Sequence, residues 1–276
     1  MPLSVMLLVL FGALLHASWN AIVKAGDNKL REAGLVAGGA AVVAACGLPF
    51  VPLPAPASWP WLAAAVVVHQ AYYAMVAAAY RAGDMGHTYP LMRGTAPLIV
   101  ALVSAPLLGE TLTTATWAGI GLICGSILML AFHRHVDRKA TLIALGNALV
   151  ISTYTLVDGF GARLSGHAVS YVLWLTFLSG PPIVTWLLWD NAPGLLQLVR
   201  KRSGVALAGG ACSIGSYGFA LWAMTQAPLA AVAALRETSV LFAVGISVFL
   251  LGEPGGIRRL VAAILVVAGA ATLRFA

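Results

Sequence analysis

The sequence predicts an all-α polytopic membrane protein: ten transmembrane helices in two inverted-topology five-helix repeats. Three observations carry that expectation. Of 276 residues 61% are hydrophobic and 9% charged, and apolar runs near twenty residues recur along the whole chain. That is the length that crosses ~30 Å of hydrocarbon at about 1.5 Å per residue. A stretch beginning Arg93-Gly94-Thr95-Ala96-Pro97-Leu98 and closing Leu107-Leu108-Gly109-Glu110 returns as Arg236-Glu237-Thr238-Ser239-Val240-Leu241 through Leu250-Leu251-Gly252-Glu253. Aligned without a gap, the two copies agree at Arg, Thr, Leu, Ser, Leu, Leu, Gly and Glu, which marks an internal duplication. Five crossings separate the copies. Five is odd, so matched helices run in opposite directions through the bilayer.

Taken in order, the spans lie near 3–24, 33–53, 60–82, 88–108, 114–133, 140–160, 169–189, 204–225, 229–251 and 257–275. The first lacks a basic n-region and a small-residue cleavage site and reads as a retained helix. Connections are short; the two with most character are the proline-rich Pro49–Pro60 stretch and the basic turn His133–Lys139. That turn divides the chain into repeats 1–135 and 136–276. Weaker echoes join them: Trp19-Asn20 answers Tyr154-Thr155, and Tyr73 answers Ser216 beside Tyr217. Gly34-x-x-x-Gly38 and Gly121-x-x-x-Gly125 read as close-packing faces.

Composition excludes other classes. The net charge of +7 comes from residues scattered through connections, which suits anionic headgroups and not nucleic acid. Cys46, Cys124 and Cys212 lie in apolar runs without paired spacing, as packing residues. No nucleophile elbow, zincin motif, P-loop, dinucleotide fingerprint or Cys/His metal spacing occurs, so no enzyme activity, cofactor or metal is expected.

The tryptophan of the first span (Trp19), the duplicated run ending Leu-Leu-Gly-Glu and the glycine-rich fifth and tenth spans resemble the drug/metabolite transporter superfamily. The likeness is to its ten-helix branch of two EamA-type repeats and covers nearly the whole chain. In organisation it comes nearest to amino-acid exporters of the YddG type. The resemblance implies a secondary transporter of the inner (plasma) membrane, without cofactor, acting as monomer or homodimer on a small molecule. It also implies cytoplasmic termini.

Charge argues for the opposite orientation. Connections after odd-numbered spans hold Lys24, Lys29, Arg31, Arg81, Arg134, Arg138, Lys139, Arg200, Lys201, Arg202, Arg258 and Arg259, against Arg163 and Arg274 elsewhere. Short-loop Lys/Arg marks the cytoplasmic side, so both termini are expected to face outward.

Candidate binding residues follow from polar groups at membrane depth. Arg236 and Arg93 each lie inside a span, where an unpaired charge costs at least ~2.5–3.5 kcal/mol. Either can fork onto a substrate carboxylate; the alternative is a helix-bracing role. Glu237 diverges from Arg236 by about 100° on a helix and so needs a partner on another helix or a proton. His16, Asn20 and Lys24 form one polar stripe beside Trp19, with Lys24 snorkelling. His69, Tyr73, Val76 and Tyr80 share a face, with Tyr73 and Tyr217 suited to a cavity and Tyr80 and Trp222 to the interfacial belt. Ser152, Tyr154 and Thr155 make a polar patch, while Asp158 stands near enough to its span's end to be solvated. The repeated Gly-Glu reads as structural, each glutamate meeting the positive end of the helix that follows it.

The leading expectation is a secondary exporter or facilitator of small polar metabolites, most directly amino acids, working by alternating access between the repeats. Proton coupling would fall to Glu237, His16 or His69. Alternatives are a proton-coupled exporter of drugs or organic cations centred on Glu237, disfavoured by the adjacent arginine, and a non-transporting intramembrane enzyme or scaffold.

Overall fold

The computed structural model describes residues 1–26, 28–131, 137–249 and 256–276. The second Leu-Leu-Gly-Glu run, most of the basic turn and the boundary between the expected repeats lie outside them. Among the described residues there is no strand, and eight helices are long and apolar enough to cross a membrane.

Helix α1 is Leu3–Ala25, ending at Gly26 with Lys24 in its last turn, where a cation meets the negative end of the dipole. Asn28 starts α2 (Lys29–Gly47) by accepting the Arg31 N–H at 3.1 Å. Two 3-10 turns, Leu48–Phe50 and Pro56–Ser58, carry the proline-rich connection into α3 (Trp59–Ala82). Asp84 caps α4 (Met85–Leu108), which holds Pro90, Pro97 and Pro106. At its end Gly109 adopts φ +65°, a left-handed cap open to glycine at little cost. That conformation accounts for the glycine of the first Leu-Leu-Gly-Glu. Then come α5 (Thr114–Ala131) and α6 (Arg138–Leu164), the latter capped by Asp137.

Helix α7 runs Ala168–Met224 with non-helical backbone at Asn191 and Arg202. The expected seventh and eighth spans stand on either side of those breaks. The connection between them is largely helical. The expected ninth span is interrupted as well: α8 is Leu229–Arg236 and α9 is Ser239–Phe249. Helix α10 is Ile257–Phe275.

Arg274 donates to the Met1 carbonyl at 3.1 Å, so α1 begins and α10 ends on one face. The basic ends of α1 and α3 and the starts of α2 and α4 form the opposite face. The main apolar core occupies the half of the bundle nearer the termini, with Val9, Leu62, Ile123, Tyr171, Leu221 and Leu229 nearly inaccessible. The proline-rich connection docks on that same face, where Ala55 N–H reaches the Ser165 carbonyl at 3.0 Å.

Small residues set the closest approaches. A Cβ on Gly39 would stand 2.1 Å from the Ala206 carbonyl oxygen, and one on Gly210 2.3 Å from the Ala40 nitrogen, fixing α2 on α7. Gly34 and Gly38 face Leu187 and Val184 of α7, as the spacing predicts. Gly121 and Gly125 do not pack: both are exposed, with nothing near a built Cβ. Helix α5 instead meets α10 through Gly119 and Gly269, two residues round the helix from the expected face.

Glu110 also departs from expectation. Its carboxylate accepts the Leu229 N–H at 3.1 Å and pairs with Arg163 at 2.6 Å. It therefore answers the positive N-terminus of α8, on the far side of the chain duplication, and not that of α5. Arg163 adds bonds to the Met224 and Ala227 carbonyls, tying down the turn between α7 and α8.

Candidate functional site

A cavity of about 710 Å³ enters from the basic face. Exposed Lys24, Asn28, Lys29 and Arg81 form its rim, and its inner end reaches His69, Tyr154, Tyr217 and Arg236. The apolar core closes the opposite side. Five Lys or Arg side chains line it (Lys24, Lys29, Arg81, Arg93 and Arg236), and among the described residues no Asp or Glu does.

Helical period explains who lines the walls. His16, Trp19, Asn20, Val23 and Lys24 present one face of α1, and His69, Tyr72, Tyr73, Val76 and Tyr80 one face of α3. The rings form a connected set: His69 stands 4.6 Å from Tyr154, Tyr72 5.5 Å from Tyr154, Tyr72 5.4 Å from Tyr73, and His16 edge-on to Trp19 at 5.1 Å. Asn20 returns its amide to the His16 carbonyl at 2.8 Å, keeping that stripe locally satisfied. Tyr80, near the end of its span, lines the cavity as well. Tyr89, one turn before Arg93 on α4, lines it too. That i, i+4 spacing is the sequence signal that could have found it.

The two arginines of the duplicated stretch have different surroundings. Arg93 is 5% exposed; its Nε donates to Glu237 Oε2 at 2.9 Å and its Nη2 stands 2.8 Å from Oε1. Glu237, 4% exposed, is therefore partnered from another helix, as its position beside Arg236 requires, and it does not line the cavity. Arg236 forms no ion pair among the described residues. Its guanidinium carbon lies 4.9 Å from the centre of the Tyr217 ring, a cation–π distance.

The helix tightens where these charges stand, between α8 and α9. Bonds from Glu237 N to Ala234 O, Thr238 N to Leu235 O, Val240 N to Glu237 O and Leu241 N to Thr238 O tighten the chain there, and Thr238 Oγ1 donates to Leu235 O at 2.7 Å. The backbone stays right-handed through this tightened turn, with Glu237 at φ −69° and ψ −12°, so the two arms remain one helical span.

Asp158, expected to be solvated, is fully buried. Tyr217 donates its hydroxyl to Asp158 Oδ2, Tyr171 its hydroxyl to Oδ1 at 3.4 Å, and His69 Nε2 lies 3.6 Å from Oδ2. Gly161, one turn along α6, makes room: a Cβ there would stand 2.4 Å from the Tyr171 oxygen. Ser152 and Thr155, from the same polar patch, return hydroxyls to the Ala148 and Ile151 carbonyls of their own helix, and Ser152 also reaches the Ala96 carbonyl of α4 at 3.0 Å. They brace α6 and leave Tyr154 alone of that patch on the cavity.

Residues 138–275 match the family described as EamA-like transporter family. A solved structure titled "Crystal structure of protein" aligns with a TM-score of 0.71 at 20% identity, over 99% of this chain and 96% of that one. No curated protein matches.

Proposed function

The chain belongs to the EamA-like transporter family, and from that premise we propose that it is a secondary exporter or facilitator of small polar metabolites, most directly amino acids, in the plasma membrane. One observation carries the substrate class. The cavity is walled by aromatic rings and lined by five cationic side chains with no carboxylate among the described residues, and Arg236 stands in it without an ion-pair partner. A solute carboxylate on Arg236 would supply the missing anion through two parallel N–H···O bonds. The tyrosine faces beside it would receive an α-ammonium or an apolar side chain. The same lining weighs against organic cations, which would meet like charge at the rim and at the inner end.

Alternating access fits the shape: a cavity open to one face, an apolar core closing the other, and Arg236 at the inner end between them. In this reading the two repeats are inverted copies that rock about that site, and the basic face is cytoplasmic, so the cavity opens inward. Arg93, engaged by Glu237, braces the site in this state. The test is uptake by proteoliposomes of each of the twenty radiolabelled amino acids, with the amide and the deaminated analogue of the best one. Transport of the acid and its deaminated analogue above the amide supports the reading. Equal transport of acid and amide, or of organic cations alone, would sink it.

A further inference from the structure

We infer that His69 and Asp158 form a proton-binding site linked, through Tyr217, to carboxylate binding at Arg236. The inference rests on the transporter reading above and adds its linked ion. Nδ1 of His69 lies 2.9 Å from the Ala65 carbonyl oxygen, which can only accept, so Nδ1 carries a hydrogen. In the neutral ring Nε2 is then a bare lone pair, and it faces Asp158 Oδ2 at 3.6 Å. Two acceptors face each other across that gap. The arrangement becomes favourable when one proton enters it, on Nε2 or on the carboxyl group. An aspartate with a fully buried side chain is not relieved by water, so its compensation is confined to the Tyr217 and Tyr171 hydroxyls and to His69.

Access is one-sided. His69 lines the cavity, whereas Asp158 does not, and Tyr171 and the apolar core stand behind it. A proton therefore comes from cavity water to His69 Nε2, is shared with Asp158 Oδ2, and returns the same way while this face is open. The groups facing the pair come from three other helices and from α6 itself. Tyr154 of α6 stacks beside His69; α7 brings Tyr171 and Tyr217; α8 brings Arg236; and α4 brings Arg93, whose charge Glu237 answers.

Tyr217 joins the two sites, with its hydroxyl on Asp158 and its ring beneath the Arg236 guanidinium. The added proton raises the positive charge close to Arg236, in a setting that screens poorly. A carboxylate arriving there is held more tightly, and by reciprocity its arrival favours the proton. Proton and carboxylate thus bind together.

The test uses the full chain purified in detergent. Without substrate, infrared difference spectra between acid and neutral pH are expected to show bands of a protonated carboxyl or imidazolium that disappear in Asp158→Asn. Identical spectra would overturn the proton site. Calorimetric titration with L-phenylalanine, in two buffers of different ionisation enthalpy, is expected to show net proton uptake in the unaltered protein. Its affinity should fall by up to about tenfold per pH unit above the pair's titration. In Asp158→Asn both effects should vanish, and L-phenylalaninamide should take up no proton. Binding without proton uptake in the unaltered protein overturns the linkage while the transporter reading stands. Absence of binding, together with no transport of any amino acid, sinks the amino-acid reading instead and leaves the infrared comparison to decide the proton site. Should Asp158→Asn not fold, His69→Gln carries the same two comparisons.

Discussion

Arg93 of α4 and Glu237 at the α8–α9 break form a buried ion pair with two close contacts, 2.9 Å and 2.8 Å, between the two copies of the duplicated stretch. One copy's arginine is neutralised by the residue that follows the other copy's arginine. Sequence-equivalent charges thereby acquire different duties: Arg93 braces, and Arg236 faces the cavity without a carboxylate partner.

Breaking that pair from either side leaves one buried charge uncompensated. Arg93→Met and Glu237→Leu are each expected to cost about 3–5 kcal/mol, while the two substitutions combined should recover most of the loss. Thermal unfolding of the purified variants in detergent, arranged as a double-mutant cycle, measures the coupling. Additive single effects would show that the two side chains do not depend on each other.

Arg236 is expected to act on the substrate's carboxylate. Arg236→Gln should weaken apparent affinity for a transported acid ten- to a hundred-fold, the equivalent of ~1.5–3 kcal/mol, with little effect on its amide. Arg236→Lys should fail nearly as badly, because an ammonium has neither the planar fork nor the stacking face that rests on Tyr217. Concentration-dependent uptake by proteoliposomes decides it. Equal losses for acid and amide would assign Arg236 to holding helices.

Two glycines should respond in opposite directions to the same methyl group. Gly39→Ala drives a Cβ to 2.1 Å from the Ala206 carbonyl and should destabilise by at least ~1–3 kcal/mol through forced separation of α2 and α7. Gly121→Ala meets nothing within 4 Å and should be neutral or stabilising by up to about 1 kcal/mol, from helix propensity alone. Melting temperatures of both variants check the assignment of packed and unpacked faces.

Orientation is expected to follow the basic residues. With the Lys/Arg-rich face cytoplasmic, a C-terminal reporter active only outside the cytoplasm should be bright, and one active only in the cytoplasm dark. The reverse result would turn the cavity mouth outward and leave its lining unchanged.

Most of the cavity wall was legible in the sequence. The stripes His16–Asn20–Lys24 and His69–Tyr73–Tyr80 depend on the period of a single helix, which determines the direction of each side chain about its own axis. Membrane spans, the duplication and the unsuitability of Glu237 as a partner for Arg236 depend on similarly local rules. What stands opposite a side chain is a property of packing between helices distant in the chain. Asp158 lies only six residues before the end of α6, a depth that suggests solvent; Tyr171, His69 and Tyr217, brought in from α7 and α3, bury it. Glu110 reaches past its own next helix to α8 for the same reason. The break after Arg236 has no proline or glycine to announce it. It is a turn of i→i+3 bonds inside a continuous right-handed span, where Arg93, from another helix, supplies the counter-charge to Glu237, and only the folded bundle brings that guanidinium within reach.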